Sequence, residues 1–151
     1  MIVDFTETDD GAEGSVTFPL FNRNIDLLVN GDVPYEYVVA CSRALESLSG
    51  DLVDKLLLGT ARYREAGRKQ GFTGGDVQEP KDLLPHIEPS CLTVWPPEGN
   101  GVALSLELDC DWEDEHGMEW LIRDSEVVYV GPFQGESPWD DPANLPMNYA
   151  V

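Results

Sequence analysis

The sequence predicts an α+β fold in a single domain, residues 1–151, and three observations carry that reading. Strand-like alternation occupies both ends of the chain, at 14–29 and 91–130. Between them the apolar spacing turns helical. The 151 residues fit one domain of ordinary size, enough to bury a core without disulfides or metals. Strands, then helices, then strands is the order expected of an antiparallel sheet with helices segregated from it.

Residues 14–21 read as a short strand with Val16 and Phe18 on one face. Pro19 has no amide hydrogen, so it ends this ladder or confines it to an edge. Residues 25–29 form a second strand, with 22–24 as the turn and Asn30-Gly31-Asp32 closing the run. An N-terminal hairpin is expected. Val38, Cys41, Leu45 and Leu48 then follow helical spacing, with Asp32 near the start and Pro34 suited to a first turn. Ser49-Gly50 interrupts. Asp51 is placed to cap a second helix with Asp54 three residues on. Leu52, Leu56 and Tyr63 form its apolar stripe, widened by Val53, Leu57 and Ala61. This helix is expected to reach Gln70 and stop at Gly71. Arg62, Arg64, Arg68 and Lys69 fill its last turns, where cations suit the helix dipole. The pair is either a helical hairpin or one long kinked helix.

Residues 71–89 are loop-like, with Gly74-Gly75, Pro80, Pro85 and Pro89, and room for a short turn at 82–84. Residues 91–95 make a brief strand stopped by Pro96-Pro97. The clearest strand is 102–110, where Val102, Leu104, Leu106, Leu108 and Cys110 alternate with Ala103, Ser105, Glu107 and Asp109 on a wet face. An acidic loop follows, then strands at 118–123 and 126–130 around a turn at Asp124-Ser125. These complete a C-terminal three-stranded meander. From Gly131 the tail carries Pro132, Pro138, Pro142 and Pro146 and reads as irregular, docked by Phe133, Trp139 and Tyr149.

Charge narrows the function classes. Twenty-nine acids face nine bases, for a net charge of −20. Residues 1–36 hold eight acids and one base, 37–71 four acids and six bases, and 72–151 seventeen acids and two bases. A near-neutral middle thus lies between acidic flanks. Such a field repels nucleic acid and anionic membrane, which need Lys and Arg to displace their counterions. It attracts basic proteins and cations, and it also serves plain solubility. No apolar run approaches the ~20 residues that span a bilayer. The acidic start lacks the basic and apolar stretches of a secretory leader, so a cytosolic protein is expected. Cys41, Cys91 and Cys110 are odd in number, widely spaced and set among apolar neighbours, as reduced buried thiols would be.

The densest chemistry lies at 109–117, Asp-Cys-Asp-Trp-Glu-Asp-Glu-His-Gly. A calcium loop starting at Asp109 would need glycine at its sixth position and glutamate at its twelfth, but Asp114 and Trp120 stand there. His116 beside Glu115 could be an acid–base pair, though neighbours in sequence point apart and a turn or capping role is the plainer reading. His86 and Cys91 lack an identifiable third group. Zinc is disfavoured without Cys-x-x-Cys or paired histidines, and no phosphate-binding glycine pattern occurs. No catalytic residue, metal or cofactor is therefore expected. Trp120 alternates with Met118 and Ile122 and belongs to the core. Trp112 is open to two readings, a core side chain or an exposed anchor ringed by charge.

Residues 106–131, Leu-Glu-Leu-Asp-Cys-Asp-Trp-Glu-Asp-Glu-His-Gly-Met-Glu-Trp-Leu-Ile-Arg-Asp-Ser-Glu-Val-Val-Tyr-Val-Gly, resemble a strand, acidic Asp-Trp-x-x-Glu-His-Gly turn and strand-turn-strand of small bacterial domains. Several such domains occur among immunity proteins of contact-dependent and polymorphic toxin systems. The helices and the Pro-rich tail lie outside the resemblance. It implies tight binding and neutralisation of a cognate toxin, a secretion-system effector of basic, nuclease type. An acidic inhibitor meets such a partner with complementary potential and steered association. The expected surface is Asp109, Asp111, Trp112, Glu113, Asp114 and Glu115, with Asp140 and Asp141 as rim. Direct contact with nucleic acid or membrane is not expected. The alternatives are a housekeeping interaction domain, acidic only for solubility, and a metal-assisted enzyme assembled from scattered acids.

Overall fold

A computed structural model describes residues 1–69, 78–141, 145 and 147–150, apart from the side chains of Arg68, Lys69 and Asp114. Seven strands lie side by side in chain order: β1 (Ile2–Thr8), β2 (Gly11–Phe18), β3 (Arg23–Asn30), β4 (Ile87–Val94), β5 (Ala103–Cys110), β6 (Glu113–Arg123) and β7 (Glu126–Pro132). Every neighbouring pair is antiparallel except β3 and β4. That parallel step requires a crossover, supplied by α1 (Tyr35–Glu46), α2 (Gly50–Lys69) and a 3₁₀ segment (Pro80–His86). The fold is α+β in one domain, with the expected N-terminal hairpin as β2–β3 and the C-terminal meander as β5–β7.

Alternation along the strands sorts the residues onto two faces. Val16, Phe18, Ile25, Leu27, Leu92, Leu104, Leu106, Leu108, Met118 and Trp120 point to the helical layer and are buried with Val38, Cys41, Leu45 and Leu56. Trp120 is among the largest fully buried side chains, as its spacing implies. Its indole N–H donates to Thr60 Oγ1 (3.0 Å), and Thr60 donates in turn to the Leu56 carbonyl (2.8 Å). Burying an indole without such a partner would leave a desolvated donor unmatched.

Several boundaries differ from expectation. β1 is an added edge strand. Asp4 takes a left-handed backbone (φ 57°) and the register shifts between Val3 and Thr6, which breaks the alternation that would reveal a strand. α1 and α2 are separate helices joined by residues 47–49. Ser49, not Asp51, caps α2: its Oγ accepts from the Leu52 amide (3.2 Å), since the helix starts one residue earlier than expected. Asp51 lies in the first turn, where its charge still suits the dipole. The expected stop at Gly71 lies outside the described residues. β4 is longer than 91–95 and includes Pro89, at a register shift where the missing amide is tolerated.

Two corrections bear on function. The acidic loop after β5 is mostly strand: only Asp111 and Trp112 turn, and β6 begins at Glu113. Glu113 pairs with Cys110 and Met118 with Leu108, so the intervening residues bulge opposite Asp109. Gly117 sits in that bulge at φ 70°, and a side chain there would press on the Leu108 carbonyl. The wet face of β5 is also only partly wet. Ala103 and Ser105 are buried, Glu107 is half-buried and Asp109 is exposed. The cause is the segment after β7, which returns across this face. The Gln134 amide donates to Glu119 Oε1 (3.4 Å), and Arg123 donates to the carbonyls of Pro138 (3.2 Å) and Asp140 (3.3 Å). The tail is docked by Trp139, whose indole donates to the Pro96 carbonyl (3.1 Å), and by Tyr149, whose amide donates to the Val130 carbonyl (2.7 Å). Phe133, expected to dock it, is exposed.

Candidate acidic interaction surface

The face of the sheet away from the helices gathers acids from separate strands. Glu107 and Asp109 share that face of β5 by alternation, and Asp111 follows two residues on. Cys91 of β4 lies opposite Glu107, and Asp26 of β3 lies opposite Cys91. Glu88 lies opposite Asp109. Neighbouring strands stand ~4.8 Å apart and alternate residues ~7 Å apart. Asp26, Glu88, Glu107 and Asp109 therefore form one stripe that runs toward the β5–β6 turn, where Asp111 stands at its end. Arg23 donates to Glu88 (3.1 Å), and His86 Nδ1 lies 2.5 Å from Asp111 Oδ2. Asp26, Glu88, Asp109 and Asp111 are exposed, so the stripe presents its charge to solvent.

The stripe ends against a buried acid. Glu119 faces Glu107 across β5 and β6 and is 1% exposed. Burial pushes its carboxyl up to about 7; the amides of Gln134 and Gly135 oppose that, while Glu107 and Glu136 add to it. Its Oε2 is buried without a hydrogen-bond partner. Glu107 is itself raised, chiefly by burial and then by Asp109. Like charges directly opposite each other destabilise a sheet, and the tail over Glu119 makes the charged form costlier.

The structure divides the surface expected from the sequence. Asp109 lies on the stripe and Asp111 in the turn at its end. Glu115 is exposed, and Asp114's side chain lies outside the described residues. Glu113 is half-buried. Burial opposes its ionisation, but the Glu115 and His116 amides and the His116 ring outweigh that and hold its carboxyl below the ordinary range. His116 therefore partners Glu113 (3.3 Å) and not Glu115. Trp112 is not an exposed anchor: it is 8% exposed, edge-on to Tyr63 with ring centroids 5.8 Å apart. The turn folds its indole back onto α2, where Gly67 leaves room; a side chain there would come within 3.3 Å of the ring. Asp140 and Asp141 are exposed, but they do not rim the turn. Arg123 binds the Asp140 carbonyl at the far end of β6, where it pairs with Ala103, ~23 Å along β5 from Cys110, the partner of Glu113.

Asp26, Glu88 and Glu119 were missed because only strand register brings them to Glu107, which the alternation of β5 had already marked as outward. The thiols offer little nucleophilic chemistry. Burial is the chief cause that pushes Cys41 up to about 11, Cys110 up to about 12, and Cys91 above its ordinary value. Among the described residues no group of three or more His, Cys, Asp or Glu could hold a metal ion, and no helix is long and apolar enough to cross a membrane. A family model described as a domain of unknown function (DUF6985) matches residues 3–137. No curated protein and no solved structure matches the chain.

Proposed function

The chain belongs to the DUF6985 family, a domain of unknown function, and from its acidic sheet face we propose that it is an acidic immunity-type protein that binds and neutralises a basic toxin, a nuclease-type effector, by masking its cationic surface. One observation carries the reading: Asp26, Glu88, Glu107 and Asp109 share the sheet face that the helices leave uncovered, with Asp111 exposed in the turn that follows. A cleft built to hold nucleic acid is lined with Lys and Arg, and a stripe of carboxylates on a rigid sheet complements it. Such complementarity speeds association and rejects acidic partners. The stripe ends where the acidic turn at 109–117 begins, a segment whose sequence resembles that of immunity domains. In this reading the protein works by binding and carries out no reaction of its own.

The reading predicts a stoichiometric complex. Tagged protein incubated with lysate of the cells that carry it should retain one basic protein at 1:1, first at low salt and then at about 1 M salt, where surface charges are screened beyond ~3 Å. Retention through the salt step reports a packed, specific interface. Recovery of only abundant basic proteins, all released by salt, would show that the acidity is generic and would overturn the reading.

A further inference from the structure

On the α2 side of the β5–β6 turn lies a cleft of about 610 Å³. That size suits a small organic group. Its walls include Tyr63, Trp112, Phe133 and Tyr149, with Glu113 and His116 at the turn. The aromatic walls are fixed before anything enters. Tyr63 packs on Tyr149 with centroids 5.3 Å apart, and its hydroxyl donates to the Gly117 carbonyl (3.3 Å). Tyr149 is tied to β7 through its amide, and Asn148 donates to the Val128 carbonyl (2.9 Å). Phe133 is 40% exposed, a large apolar side chain left at the surface.

We infer that this cleft receives an arginine side chain of the basic partner, its guanidinium stacked on the aromatic walls and paired with the Glu113 carboxylate. The inference rests on the binding role proposed above and names the contact that would anchor it. Aromatic faces attract a cation within ~6 Å of the ring centroid, more strongly when water is excluded. Arginine fits better than lysine because its planar group stacks on rings while its fork of N–H donors matches a carboxylate. Glu113 suits the role, since the neighbouring amides and His116 hold it ionised although it is half-buried. Arginines seated in pockets of this kind are common among the residues that dominate protein interfaces.

The test uses Nα-acetylarginine amide as the probe and Nα-acetylcitrulline amide, similar in shape and uncharged, as its control. NMR titration is expected to show saturable shifts of the Trp112 indole and Tyr63 ring with the arginine probe. The citrulline probe, and the arginine probe on Glu113→Gln, should each bind at least about fivefold more weakly. Phe133→Ala, a change at an exposed position that leaves the core intact, should weaken binding about threefold. Equal responses to both probes, no shift at the cleft, or full binding by Glu113→Gln would overturn the inference. The two readings fail separately. If a basic protein is captured and neither Glu113→Gln nor Phe133→Ala affects it, the cleft is not the anchor and the proposed function stands. If the cleft selects arginine but no basic protein is captured, the proposed function falls and the arginine site remains.

Discussion

Reversing charge at Asp26, Asp109 and Asp111 together, each to lysine, is expected to weaken the complex with the basic partner by about a hundredfold at low salt. Close charge pairs at acidic–basic interfaces couple by ~1.5–7 kcal/mol, and each 1.4 kcal/mol is a factor of ten. Three reversals replace attraction with repulsion along the stripe and in the turn at its end. All three residues are exposed, so the fold should survive. Most of the loss should fall on the association rate, and the dependence of affinity on salt should flatten. Asp140→Lys with Asp141→Lys adds positive charge at the far end of β6 and should change affinity by no more than about twofold at physiological ionic strength, because the ~20 Å along β5 from the Ala103 level to Asp109 exceeds the screening length of ~8 Å. Titration calorimetry and stopped-flow association across a salt series would measure both. Equal losses from the two sets would mean that net charge, not the stripe, governs binding.

Glu119→Gln should have the largest effect on stability. In the folded chain burial lifts the Glu119 carboxyl from 4.5 to about 7. Between those values the native state holds a proton that the unfolded chain has released, so stability falls as pH rises. The contribution is fully present below about 4.5 and lost above about 7; across that window it amounts to about 3 kcal/mol. Glutamine keeps an acceptor for the Gln134 amide and cannot ionise. The variant should therefore be more stable than the parent at pH 8, with most of the slope between pH 5 and 7 removed. For a domain of this size that is a rise in Tm of about 6–12 °C at pH 8. Some slope should remain, because Glu107 is raised in the same direction. Thermal unfolding at pH 5, 6, 7 and 8 measures it, and parallel profiles for parent and variant would refute the assignment.

The parts legible in the sequence were those governed by local pattern. β5 could be read because Leu104, Leu106, Leu108 and Cys110 alternate without a break. α1 and α2 could be read because their stripes hold to helical spacing. β1 was hidden because Asp4 interrupts its alternation and its second half is polar. The acidic turn was legible as composition, but its geometry was not. Trp112 sits between Asp111 and Glu113, so sequence leaves it open between core and exposed anchor; room beside Gly67 on α2 decides for the core. Glu119 lies between Met118 and Trp120 on a strand whose alternation puts it outside; only the later chain crossing that face buries it. The stripe itself depends on pairing between strands far apart in the chain, which no local pattern encodes. The same pairing explains why Asp140 and Asp141, near neighbours by composition, belong to another end of the molecule.

Growth of cells expressing the captured basic protein is the most direct measure of neutralisation. Expressed alone, that protein should arrest growth; co-expressed with this chain, growth should resume, and the Asp26, Asp109 and Asp111 triple lysine variant should fail to restore it. Arrest that persists beside the unaltered chain, or relief as complete from the triple variant, would contradict neutralisation through the acidic stripe.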